Sequence, residues 1–237
     1  MLCKIANLWV EVPATGDMVS RCRDYLTEGQ NNISADIIIR AENYKLWRWS
    51  NMTEAQAIYM ESGIRFYRAL LDFNGIMLHS SAVAVDGKAY LFSGPCGMGK
   101  STHTRLWCET FGEKAIIFND DKPAIRFVNG VWYAYGTPWC GKNGINVNME
   151  VPLAGICFLK RGEENAIRRL SSVEATFSII SQTVRKFKDP ENLDKMLATV
   201  EAIVGRIPVY EFHNRPEPDA ARLSYETMRR GAQEAQL

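Results

Sequence analysis

Apolar and polar positions change their rhythm along this chain, and the change falls near residue 75. Residues 4–12 and 33–40 read as strands, and the consecutive Ile37, Ile38 and Ile39 fit a strand covered on both faces. The polar stretch between them leaves room for a short helix around residues 19–26, and Trp47 to Trp49 extend the chain again. Ser50 or Thr53 then caps a helix over residues 54–71, which sets Ala57, Met60, Ile64, Tyr67 and Leu71 on one face. Residues 1–75 therefore predict a strand-and-helix lobe. Its plain role is packing against the rest of the chain, and its functional role would be to bind a partner.

From Ile76 onward short strands alternate with tight turns. Residues 81–85 and 88–92 flank Asp86 and Gly87, and residues 124–128 and 131–135 flank Asn129 and Gly130, two strong hairpin signals. Between the hairpins a helix runs to Gly112, and an apolar strand over residues 114–118 ends at Asn119, Asp120 and Asp121. Residues 136–144 are rich in turn formers and too long for a hairpin link, so they read as a functional loop or flap. A buried strand over 153–159 and a short partner over 166–170 follow. Helices then start at Ser171 or Ser172 and at Asp189-Pro190, a strand covers 207–212, and a last helix opens at Pro218. The class is α/β (mixed): helices flank a strongly hairpinned mixed sheet, and residues 76–237 form the core with its helical tail.

The chemistry sits at the end of the first hairpin. Gly94, Pro95, Cys96, Gly97, Met98, Gly99, Lys100 and Ser101 match the Walker A pattern at every fixed position, with a strand before them and Thr102 opening a helix after them. Glycines let the backbone turn its N–H groups toward a phosphate, Lys100 adds a point charge near the β- and γ-phosphates, and Ser101 supplies an oxygen to Mg²⁺. ATP or another nucleoside triphosphate with Mg²⁺ is the expected ligand; the alternative is a tight turn with a solvated lysine. Asp120 closes an apolar strand where an acidic residue facing a bound metal is expected, and it is the best acceptor of a hydroxyl proton. Asp121 would orient a basic group or complete the metal shell. A solvated turn with a local salt bridge is the plain reading of both aspartates.

His79, at a strand start, would contact the phosphates or carry a proton; otherwise it is a polar surface or core histidine. Thr137, Trp139 and Lys142 are candidates for a substrate or phosphate clamp: Pro138 restrains the loop, Trp139 offers a flat apolar surface and Lys142 approaches transferred phosphate. The bland alternative is a surface loop whose tryptophan packs. His103 packs, meets solvent or borders the nucleotide, and with only three scattered histidines no structural metal site is expected.

Composition narrows the partners. With 23% charged residues and a formal net charge of +1, nothing points to nucleic acid or an anionic membrane surface. No apolar run reaches the length of a membrane span. Six cysteines lack any Cys-x-x-Cys spacing and read as reduced thiols of a cytoplasmic protein.

Taken in order, the segment from His79 to Val85, the glycine loop and the Asn119-Asp120-Asp121 strand end resemble the catalytic domain of HPr kinase/phosphorylase, whose core is similar to that of phosphoenolpyruvate carboxykinase. The resemblance covers residues 76–170 and, more loosely, the tail. It implies a phosphoenolpyruvate-carboxykinase-like P-loop core that phosphorylates a serine hydroxyl, with His79 near the phosphates, Asp120 as the base and Asp121 as its acidic neighbour. The expectation is an ATP- and Mg²⁺-dependent phosphotransferase, a kinase whose acceptor is a hydroxyl of a peptide, a protein or a small metabolite. The alternative is a catalytically weak nucleotide-binding regulatory or assembly protein, and a homo-oligomer stays open.

Overall fold

The computed structural model describes residues 1–27, 33–40, 51–184 and 189–235. The chain starts with β1 (Leu2–Ile5) and β2 (Leu8–Glu11), which pair antiparallel across Ala6 and Asn7, both at positive φ. The apolar stretch read as one strand over 4–12 is thus a hairpin. Leu8 and Val10 must be buried together with Cys3 and Ile5, and a two-residue turn folds the two apolar faces onto one core. In place of one helix over 19–26, α1 (Asp17–Arg21) gives way to a 3₁₀ turn at Arg23–Tyr25. Next, β3 (Ile37–Ile38) joins β2 in parallel. The extended reading of Trp47 to Trp49, and Ser50 as a cap, lie outside the described residues.

Thr53 caps α2 (Glu54–Ala69) in a reciprocal box with Gln56, which satisfies two of the free donors at the helix start. The buried face of α2 is Tyr59, Ser62, Gly63, Phe66 and Tyr67, whereas Met60 and Ile64 are half-buried. The shift has a physical cause: a Cβ on Gly63 would come within 2.8 Å of Trp139, so the small residues form the groove that receives that indole.

The remaining elements are β4 (Gly75–Met77), β5 (Ser80–Val85), β6 (Lys88–Ser93), α3 (Lys100–Phe111), β7 (Ala115–Asp121), β8 (Ala124–Val128), β9 (Val131–Tyr135), β10 (Glu150–Arg161), β11 (Ala166–Arg169), α4 (Ser172–Ser181), α5 (Pro190–Val204), β12 (Val209–Asn214) and α6 (Pro218–Glu234). Both expected hairpins form, with positive φ at Asp86, Gly87, Asn129 and Gly130. Among the described residues the main sheet runs β4-β8-β9-β10-β6-β5-β7, with β12 also on β10 and β11 on β12. It is mixed: β6, β10 and β12 are parallel, and the flanking pairs β5–β6, β5–β7 and β8–β9 are antiparallel.

Alternation along the central strands builds two layers. Tyr90 and Phe92 of β6, with Cys157 and Leu159 of β10, face Trp107 of α3 and Met228 of α6. Ala89 and Leu91, with Ile156 and Phe158, face Ile179 of α4 and Met196 and Val200 of α5. A third cluster joins the N-terminal strands to α2, Tyr135 and Trp139. The result is a mixed α/β fold with helices on both faces of a many-stranded sheet. Among the described residues no helix is long and apolar enough to cross a membrane.

Candidate functional site

Strand β6 carries the chain from the sheet interior into the 94–101 turn, and α3 begins at Lys100. Gly97 and Gly99 sit at φ 77° and 95°, a region that side chains rarely adopt, and a Cβ at either would meet nothing within 4 Å. Backbone conformation, not crowding, therefore requires glycine, and the space beside the turn is open. Lys100 Nζ donates to Gly94 O at 2.9 Å and Pro95 O at 3.2 Å. Burial lowers its pKa, opposed by the charges of Asp121, Cys96 and Asp120. Pro95, Cys96 and Thr102 are exposed, and Met98 is half-buried.

Because β7 pairs with β5, Ser81 lies opposite Asp120 and Ser80 opposite Asp121, just where β5 meets His79. Asp120 is only 5% exposed. Ser101 Oγ donates to its Oδ1 at 2.9 Å, and Asn143 Nδ2 approaches Oδ2 at 3.5 Å. Asp121 takes φ 116°, a strained value for a residue with a side chain. Its carboxylate meets His79 Nε2 at 2.9 Å and is ion-paired with Lys122. Burial pushes Asp121 upward, but the His79 hydrogen bond and the Lys122 charge outweigh it and hold the carboxyl well below the usual range. His79 is fixed from two further sides: Gln182 Oε1 lies 3.2 Å from Nδ1, and Ser93 Oγ donates to His79 O at 2.8 Å.

The folding thus brings together Lys100, Ser101, Asp120, Asp121 and His79. Thr137 and Trp139 lie behind this group, packed against Asn119 and Lys122 of the same strand end and against α2. Trp139 is 1% exposed, stacks on Phe66 at 4.7 Å and donates from Nε1 to Ser62 Oγ at 3.0 Å. Thr137, also buried, bonds to Lys122 O, Trp139 O and Tyr67 Oη. Neither offers a face to a ligand, so the clamp reading is corrected for both: residues 136–140 pack into the core, and only the tip with Lys142 and Asn143 is exposed. Turn-forming residues reveal that the backbone bends, not whether the bend is covered.

Sequence reasoning missed Asn143, Gln182 and Arg161. Arg161 ends β10 and points Nη2 toward Gly97 O at 3.4 Å, while Gln182 lies 103 residues from its histidine. Asn143 lies in the 136–144 stretch read as a functional loop, but no local signal marks Gln182 or Arg161.

Among the described residues no group of three or more His, Cys, Asp or Glu side chains is placed to hold a metal ion. The Ser101 hydroxyl and Asp120 carboxylate are nevertheless a pair of hard oxygens, the donor set that suits Mg²⁺, which takes few protein ligands and keeps water and phosphate oxygens. The turn opens a twelve-residue helix, whose first N–H groups and dipole favour an anion.

No curated protein matches the chain. Among solved structures, the Hpr(Ser) kinase/phosphatase from Coxiella burnetii aligns with 68% of this chain and 97% of its own at 13% identity and a TM-score of 0.38. Likeness at that level assigns no activity, and it does not sustain the resemblance to HPr kinase/phosphorylase and its phosphoenolpyruvate-carboxykinase-like core. That resemblance is corrected: it rested on three short segments whose order and residue types suit phosphate chemistry in general and are too local to identify a family. The family match lies elsewhere, over residues 48–212, to the family described as SynChlorMet cassette protein ScmC. Because that match spans well over half of its length, the chain belongs to the ScmC family.

Proposed function

We propose that this protein is a phosphotransferase that moves the terminal phosphoryl group of ATP or another nucleoside triphosphate to a hydroxyl of a peptide, a protein or a small metabolite. The observation that carries the reading is the 2.9 Å hydrogen bond from Ser101 to Asp120. It joins the first turn of the loop-capped helix to a strand-ending carboxylate 19 residues away, which supports reading Asp120 as a proton acceptor beside a turn that would hold the phosphates.

The loop N–H groups would hold the phosphate oxygens, and Lys100 would exchange its carbonyl partners for them. Mg²⁺, held by Ser101 and Asp120, would neutralise charge on the β- and γ-phosphates. The two carboxylate oxygens divide the work: Oδ1 faces Ser101, and Oδ2 faces Asn143 at the exposed loop tip. The acceptor hydroxyl forms its bond to the γ-phosphorus as the bond to the bridging oxygen breaks. Its proton passes to Asp120 Oδ2, and the electron pair leaves with the nucleoside diphosphate. Asp121 and Gln182 hold the His79 ring at the edge of the site through its two nitrogens, and His79 would donate to a phosphate oxygen only by exchanging one of these partners for it.

The test is mass spectrometry of candidate peptides and metabolites incubated with γ-labelled ATP and Mg²⁺, with Asp120→Asn as the matched control. Label transferred by the wild type and lost in the variant is expected. Nucleotide binding without transfer to any acceptor would favour a regulatory nucleotide-binding protein, and release of inorganic phosphate alone would sink the hydroxyl-transfer reading.

A further inference from the structure

The parallel strands β6, β10 and β12 end at the same edge of the sheet, β10 and β12 level at Arg161 and Asn214 and β6 earlier, with Ser93 opposite Phe158. In open α/β sheets the crevice beyond such strand ends collects ligands, because loops and helix N-termini gather there. Here it is a cleft of about 320 Å³, at the small end of the range of ligand sites. Its walls include Gly97 and Thr102 from the loop and α3, with Arg161, Asn214 and Arg215 from the strand ends, and His103 lies beneath them.

The polar groups of this cleft differ from those at Asp120. His103 is 1% exposed, and burial pushes its pKa down to about 3, so its ring is neutral. Its Nε2 faces Trp107 Nε1 at 3.3 Å and Ser224 Oγ at 3.0 Å, while Nδ1 lies 3.5 Å from Asn214 Nδ2. Arg215 is already ion-paired with Glu217 at 2.9 Å. Arg161 has no ion pair among the described residues and reaches over the loop to Gly97. The cleft therefore offers one uncompensated cation on the loop side and neutral donors and acceptors farther in. A ligand with an anionic end and an uncharged polar heterocycle matches that order.

We propose that this cleft takes the base and sugar of the nucleotide, with Asn214, backed by the buried His103 ring, meeting the polar groups of the nucleoside and Arg161 facing the phosphates. The assignment rests on the phosphotransfer reading and extends it from the phosphates to the nucleoside.

The test measures, by titration calorimetry with Mg²⁺, the affinities of ATP and of inorganic tripolyphosphate for the wild type and for Asn214→Ala. ATP is expected to bind the wild type at least about tenfold more tightly than tripolyphosphate, and the variant to lose about tenfold for ATP with tripolyphosphate unchanged. Unchanged tripolyphosphate binding also shows that the variant is folded with its loop intact. Equal affinity of the wild type for both ligands, an unchanged ATP affinity in the variant, or equal weakening of both ligands would overturn the assignment while leaving the phosphate loop in place. Failure of the wild type to bind either ligand would overturn the phosphotransfer reading, and the cleft assignment with it.

Discussion

Acid should destabilise this fold through one buried ring. His103 lies between Phe92, Trp107 and Phe212, 1% exposed, and burial holds its pKa near 3. In the unfolded chain a histidine takes up its proton near pH 6.5. The sign follows: below about pH 6.5 the unfolded state binds a proton that the folded state refuses, so stability is full above that pH and declines as pH falls toward the folded value. The loss approaches about 1.4 kcal/mol per pH unit, so His103 alone should remove about 2 kcal/mol between pH 8 and pH 5. Asp121 titrates outside this window, because its depressed pKa leaves its stabilisation intact above the ordinary carboxylate range and loses it only at lower pH. The measurement is urea unfolding followed by tryptophan fluorescence from pH 8 to pH 5, on the wild type and on His103→Gln, which puts a neutral amide in place of the ring and cannot titrate. Whatever fixed cost the substitution carries, the gap between the two proteins should narrow or reverse by about 2 kcal/mol as the pH falls. Parallel profiles would refute the reasoning, since every other titrating group is common to both proteins.

Trp139→Ala should cost about 3–5 kcal/mol in urea unfolding, because it empties the groove beside Gly63 and frees Ser62, yet leave the ATP affinity of the folded protein unchanged. Lost affinity at unchanged stability would return the indole to a ligand face. Gly97→Ala, at φ 77°, should lower stability by about 1 kcal/mol and weaken ATP binding further. Gly205→Ala, at φ −68°, should hold or raise the melting temperature, and calorimetric scans of the pair check the contrast. Gln182→Ala removes the partner of His79 Nδ1, so the ¹⁵N imidazole spectrum of His79, one of three histidines, should change its tautomer balance; an unaltered spectrum would show that Gln182 does not orient the ring.

Much of the fold was legible because its signals are local. Asp86-Gly87 and Asn129-Gly130 tolerate the positive φ of two-residue turns, so both hairpins could be read from dipeptides. Thr53, Ser171 and Asp189 announce helix starts because each side chain bonds a backbone N–H two or three residues on. The glycine loop is equally local, as φ 77° and 95° at Gly97 and Gly99 leave few residue choices. The same locality misled elsewhere. Ala6 is no turn former, yet it sits at φ 51° because two apolar strands must share a core. Trp139, in a stretch full of turn residues, is buried because α2 happens to present Gly63 to it.

The chain by itself set its hairpins, its caps and the chemical character of the loop, for these follow from backbone preferences acting over a few residues. Folding decided which distant side chains meet: Ser101 with Asp120, His79 with Gln182, and His103 with Asn214. Those pairings depend on strand order and on which ends of β6, β10 and β12 lie together, and no local preference encodes an arrangement made by the sheet as a whole.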